Sequence, residues 1–154
     1  MAYTAANDAF CTQADVEGLC GRGAFTTTTK PTAQQCLDWM ARIAAEVESK
    51  LADSGSTYTV LQHGSPFPAT PTDPKVGRLK TLAESANALG AAAQILFMHD
   101  VKDEYGRVPS SVALFKQYAG ILEAIGTEVE TSQAAVVFSD EKTDGLQFLT
   151  NTEF

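Results

Sequence analysis

The stretch whose reading decides the fold runs from Thr29 to Gly55, TKPTAQQCLDWMARIAAEVESKLADSG. Thr32 with Gln35 after it forms a capping box. The hydroxyl accepts an amide of the first turn, and the glutamine reaches back to the amide of the cap. Pro31 stiffens the approach. Cys36, Trp39, Met40, Ile43, Val47 and Leu51 then recur at helical spacing and lay one apolar stripe along one face. Gly55 stops the helix. From Thr32 to about Asp53 the predicted helix is roughly 30 Å long, comparable to the width of a small domain. The rest of the chain must pack against its stripe.

Working outward, a chain of 154 residues buries enough surface to fold without a disulfide or metal staple. Hydrophobic residues make up 44% and charged residues 19%, a composition that is neither disordered nor membrane-spanning. The formal charge of -8 argues against a protein that grips nucleic acid, because such binding depends on Lys and Arg displacing counterions from phosphates. It is compatible with a surface that DNA slides past, and equally with ordinary acidic solubility. Cys11, Cys20 and Cys36 are odd in number and have no paired spacing, and Met1 to Phe10 holds neither a basic nor an apolar run. The expectation is reduced thiols, no secretion leader, and folding in a cytoplasm.

Before the long helix, Ala-rich residues 1–10 read as an arm that frays unless docked. Thr12 with Asp15 starts a helix of about two to three turns that ends at Gly21 to Gly23. Phe25 anchors the loop that follows. Gly21-Arg22-Gly23 follows a helix rather than a strand, so it reads as a helix stop and not as a phosphate loop.

Between Gly55 and Asp73, Pro66, Pro68 and Pro71 rule out a continuous helix. Thr57 to Gln62 is a candidate short strand inside a long wrapping loop. Loops of this length are often functional, which makes Tyr58, Pro66 and Phe67 candidate contacts for a partner or subunit. Asp73 caps and Pro74 opens the next helix, expected to run to about Val101. Val76, Leu79, Leu82, Ala83, Ala86, Leu89, Gly90, Ala93, Leu96 and Phe97 keep helical spacing, and Ala88, Ala91 and Ala92 extend the apolar surface around it. Such a helix is central, flanked by this chain's own helices or by those of another copy. Ser110 or Ser111 is the expected cap of a last helix whose stripe is Leu114, Phe115, Tyr118, Ile121, Leu122, Ile125 and Val129.

The predicted fold is therefore all-α. A bundle of about four helices over residues 1–133 has a long loop after the second, followed by an extended, strand-like C-terminal arm over 134–154. Val136, Val137, Phe138, Leu146 and Phe148 carry the β-branched and alternating pattern of that arm, and Phe154 ends it. An isolated two-stranded ribbon is marginal in water, so these residues are expected to find a partner by strand addition.

No catalytic constellation stands out. His63 and His99 lack a carboxylate or cysteine at metal-ligand spacing. His99, Asp100, Asp103 and Glu104 form the densest polar group, which lacks a calcium-loop pattern and reads as solvated or paired with a lysine such as Lys102. His63-Gly64-Ser65-Pro66 is not a nucleophile elbow. Trp39 reads as core. The expectation is no enzyme, no metal and no cofactor.

The order of features resembles the head–tail connector, or adaptor, proteins of long-tailed bacteriophages. The resemblance rests on the short helix with Asp15, Val16 and Leu19, on Phe25, and on Pro31-Thr32 leading into the helix with Trp39, Ile43, Val47 and Leu51. It continues through the Tyr58 to Pro68 connection, the Asn87- and Ala-rich helix, and a further helix ending in an extended tail. It implies a ring of about twelve copies with closed symmetry between a phage portal and the tail. Its implied partners are the portal protein and a tail-side stopper or tail-completion protein. DNA would pass without specific binding, with Asp103 and Glu104 as possible acidic channel lining. The implied location is the virion's head–tail junction, after synthesis in the host cytoplasm and without a membrane step. The alternative is a small cytoplasmic helical adaptor or regulator that binds one protein through the tail or the Pro-rich loop. An enzyme or metal-binding domain is the third class.

Overall fold

The computed structural model describes residues 5–100 and 109–128. Among them the secondary structure is helical and contains no strand: α1 (Ala5–Asp8), α2 (Gln13–Cys20), α3 (Ala33–Asp53), a 3-10 turn (Leu61–His63), α4 (Pro74–His99) and α5 (109–128). The all-α expectation holds for this body. The arm over 134–154, with Val136, Val137, Phe138, Leu146, Phe148 and Phe154, lies outside the described residues, as do Asp103 and Glu104.

Both capping boxes form as the sequence dictates. Thr12 Oγ1 accepts from the Asp15 amide while Asp15 Oδ2 accepts from the Thr12 amide, and Thr32 and Gln35 repeat the exchange at the start of α3. Gly21 ends α2 in the left-handed region, φ 63°. At the end of α3, the Gly55 amide donates to the Ala52 carbonyl at 2.9 Å and the Ser56 amide donates to that of Leu51 at 2.8 Å. That pair of bonds is a Schellman stop, and it requires the positive φ of 89° that Gly55 supplies.

Cys36, Met40, Ile43, Val47 and Leu51 of the α3 stripe are buried, joined by Ala44. Each large apolar side chain so buried contributes about 1.5–3 kcal/mol. Trp39 is only half-buried at the core margin, where the Arg42 guanidinium lies 5.1 Å over its ring.

The neighbours of α4 are this chain's own helices. Ala83, Ala86, Ala88, Gly90, Ala91, Ala92 and Ala93 are buried, and α4 packs against α2 and α3. α5 runs antiparallel beside α4: Ser111 Oγ donates to the Ala93 carbonyl, Tyr118 lies against Gly90, and Arg78 pairs with Glu128. A Cβ on Gly90 would sit 2.7 Å from Ile43 Cγ2 and 3.1 Å from Tyr118 Cε2, so α3, α4 and α5 meet most closely there.

Several expectations are corrected. Thr57 to Gln62 is not a strand, because the Val60 amide donates to Glu48 Oε1 and the chain then tightens into the 3-10 turn, closed by Gly64 at φ 98°. Ser110 and Ser111 do not cap α5. Pro109 is already helical, since a proline in a first turn loses no intrahelical bond, and Ser111 is fully buried inside the helix. Phe97 belongs to the helical spacing of α4 yet is 41% exposed, although Leu96 beside it is buried. The N-terminal arm is docked: α1 packs on α3 and on the 3-10 turn, and the Asn87 carboxamide oxygen accepts the amides of Phe10 at 2.7 Å and Cys11 at 3.4 Å.

Candidate docking surfaces

The long connection between α3 and α4 is held to its own body by three devices. Tyr58 and Phe67 stack with centroids 4.3 Å apart, and Phe10 meets Phe67 edge-on at 6.0 Å, so both aromatics predicted as contacts are half-buried against the core. The Glu48 carboxylate accepts from the Val60 amide, and its Oε2 stands 2.8 Å from His63 Nδ1. Lys80 Nζ donates to the carbonyls of Pro68 at 3.2 Å and Ala69 at 2.9 Å. Among the residues that the connection presents to solvent are Pro66 and Leu61, the latter 53% exposed.

Of the polar group around His99, only His99 and Asp100 lie among the described residues. His99 is exposed, while Asp100 caps the end of α4 and pairs with Arg22 from the loop after α2. Arg22 is the cation that compensates Asp100 at this helix exit; Lys102 lies outside the described residues. Among the described residues no group of three His, Cys, Asp or Glu side chains is placed to hold a metal ion.

The three thiols are free, and burial pushes each of them up: Cys11 to about 12, with the Asp15 charge adding to it, Cys20 to about 11, and Cys36 to about 12. They are neutral at physiological pH and poor nucleophiles. Desolvation also raises Tyr118, whose hydroxyl donates to Glu46 Oε2 at 2.6 Å.

A groove of about 300 Å³ lies between Ser56, Tyr58, Val76, Leu79 and Glu128, and two larger ones also border α4. One of about 500 Å³ lies between α2, α4 and α5, with Leu19, Ala88, Leu89 and Ile121 as apolar lining and Asp15 and Glu84 at its rim. The other, of about 650 Å³, runs along the first turns of α4, between Pro71 and Pro74 on one side and Gly77, Thr81 and Leu82 on the other. Arg78 and Lys80 line it too. The sequence offered no sign of the groove between α2, α4 and α5, because those helices are distant along the chain, whereas the one of about 650 Å³ is lined by residues 71–84 alone. A charge signal was present, however: Lys75, Arg78 and Lys80 fall within one helical stretch that holds no acid until Glu84.

No helix among the described residues is long and apolar enough to cross a membrane. The chain matches no model of a known protein family, no curated protein and no solved structure.

Proposed function

We propose that this chain is a structural adaptor of a phage head–tail junction, forming a ring between portal and tail that leaves a channel for DNA. The observation that carries the reading is the order of elements. A short capped α2, a Thr32-capped α3, the Tyr58 to Pro68 connection and a small-residue α4 lead into α5, after which 26 residues remain in the chain. The small residues of α4 lend no support to a subunit interface, because α2, α3 and α5 already cover them. Subunit and portal contacts are therefore assigned to the arm, through Val136, Val137, Phe138, Leu146, Phe148 and Phe154, and to the exposed Pro66 beside the Tyr58 and Phe67 pair. The overall negative charge suits a channel that DNA traverses without adhering.

The test is attachment of the full chain to the portal protein encoded in the same genome, measured by co-sedimentation. The wild-type chain should attach, and Val137→Asp with Phe138→Asp should weaken attachment at least tenfold. Equal attachment by both chains would remove the arm from the interface. Attachment of neither would favour a regulator that binds a single protein partner.

A further inference from the structure

We propose that residues 5–10 are a latch: they and the connection between α3 and α4 open and close as one unit, and the closed unit is the form that presents Pro66 to a partner.

The two segments are tied to each other at two points. Phe10 meets Phe67 edge-on at 6.0 Å, and Phe67 in turn stacks on Tyr58 at 4.3 Å. Farther along the arm, α1 packs on the 3-10 turn, and Asp8 lines one cleft together with Val60, Gln62 and His63. The arm therefore meets the connection on both sides of Pro66 in sequence, at residues 60–63 and at Phe67.

The anchors of both segments to the helical body are side chains. Among the described residues no backbone-to-backbone hydrogen bond joins residues 57–72 to α3 or α4, and those they do make, such as the Thr59 amide to the Ser65 carbonyl at 2.8 Å, are internal. Glu48 holds the Val60 amide and His63, and Lys80 holds the carbonyls of Pro68 and Ala69. Asn87 holds the arm in the same way, through the amides of Phe10 and Cys11. α1 has four residues and the 3-10 turn three, too few to keep their shape alone. Segments with so few ladder bonds open at a lower cost than the long helices beneath them. If either segment lifts alone, the Phe10 to Phe67 contact is lost and both rings face water, so the two are favoured open together or closed together.

Pro66 sits between the two points that the arm holds, so closure fixes the backbone that carries it. A contact segment fixed in advance loses less conformational freedom on binding. Binding and closure are then linked reciprocally, each strengthening the other. The use of Pro66 as a contact rests on the function proposed above, whereas the coupling of the two segments does not.

The experiment compares amide hydrogen exchange in the full chain and in Phe10→Ala. The Thr59 and His63 amides donate within the connection, to the carbonyls of Ser65 and Val60. Their exchange should speed up at least tenfold in the variant, while the amides of Ala91 and Ile95 in the core of α4 stay unchanged and report a folded body. In the reverse direction Glu48→Ala, which leaves Phe10 in place, should speed exchange at Phe10 at least threefold. Effects confined to Phe10 and Cys11 in the first variant, or to Val60 and His63 in the second, would overturn the latch. In co-sedimentation with the portal, Phe10→Ala should attach at least threefold more weakly than the wild-type chain. Equal attachment despite faster exchange would overturn the presentation of Pro66. A portal that holds neither chain would strike the function proposed above, and it is scored apart from the exchange result.

Discussion

The Asn87 carboxamide nitrogen donates to the Met40 carbonyl at 2.8 Å, while its oxygen accepts the amides of Phe10 and Cys11. One fully buried side chain thus joins the N-terminal segment, α3 and α4. Among the described residues no buried side-chain nitrogen or oxygen lacks a partner, so Asn87 is a satisfied polar centre and not a spare one. Asn87→Leu keeps the branching of the side chain and strands the amides that Asn87 serves. Urea denaturation should show a loss of about 2–4 kcal/mol, on the scale of the buried groups left unpaired. Hydrogen exchange at Phe10 and Cys11 should accelerate further than exchange within α3.

Gly90 permits the three-helix approach. In an exposed helix, replacing glycine by alanine gains roughly 1 kcal/mol, but here the new methyl group meets Ile43 Cγ2 at 2.7 Å. Gly90→Ala should therefore destabilise by about 1–3 kcal/mol. Ile43→Ala removes the clashing methyl, so in a double-mutant cycle the two changes together should cost less than their sum. Additive costs would show that the close approach is absent.

Cys11 and Cys36 are pushed to about 12 by burial, against an ordinary value of 9.0. Their neutral forms are favoured by the fold, so this part of the stability is fully present below pH 9 and is lost as pH rises from 9 towards 12. Stability measured by denaturant across that range should fall, and less steeply for Cys11→Ala combined with Cys36→Ala. Both thiols should resist alkylation at pH 8 until denaturant is added.

Much of the helical body was legible because its signals are local. The boxes at Thr12 and Thr32, the stop at Gly55 and the Asp73-Pro74 start all act within about one helical turn. Asn87 was illegible for the opposite reason: its partners lie 47, 76 and 77 positions away, and a lone asparagine among alanines carries no mark of them. Ser111 was read as a cap because its bond to Ala93, 18 positions back, leaves no periodic trace. Tyr58 and Phe67 were read as candidate contacts for a partner or subunit. Sequence spacing does not tell whether an aromatic in a loop serves the chain's own core or an outside surface, and here Phe10 and the core hold both.

Glu48 clamps the long connection through Val60 and His63. Because His63 is more than half exposed, the ion pair itself is worth little, and the amide bond matters more. Glu48→Ala should lower global stability by only about 1 kcal/mol. It should also speed proteolysis within 61–70 several-fold, read as fragment masses over time. Unchanged cleavage there would show that the aromatic stack alone holds the segment.

The central claim is assembly into a ring against a portal, and native mass measurement tests it most directly. The full chain, mixed with the portal encoded in the same genome, should give one closed complex carrying about twelve copies, as cyclic symmetry requires of a ring that matches its partner. A chain that stays monomeric or dimeric beside that portal at every concentration would contradict the account.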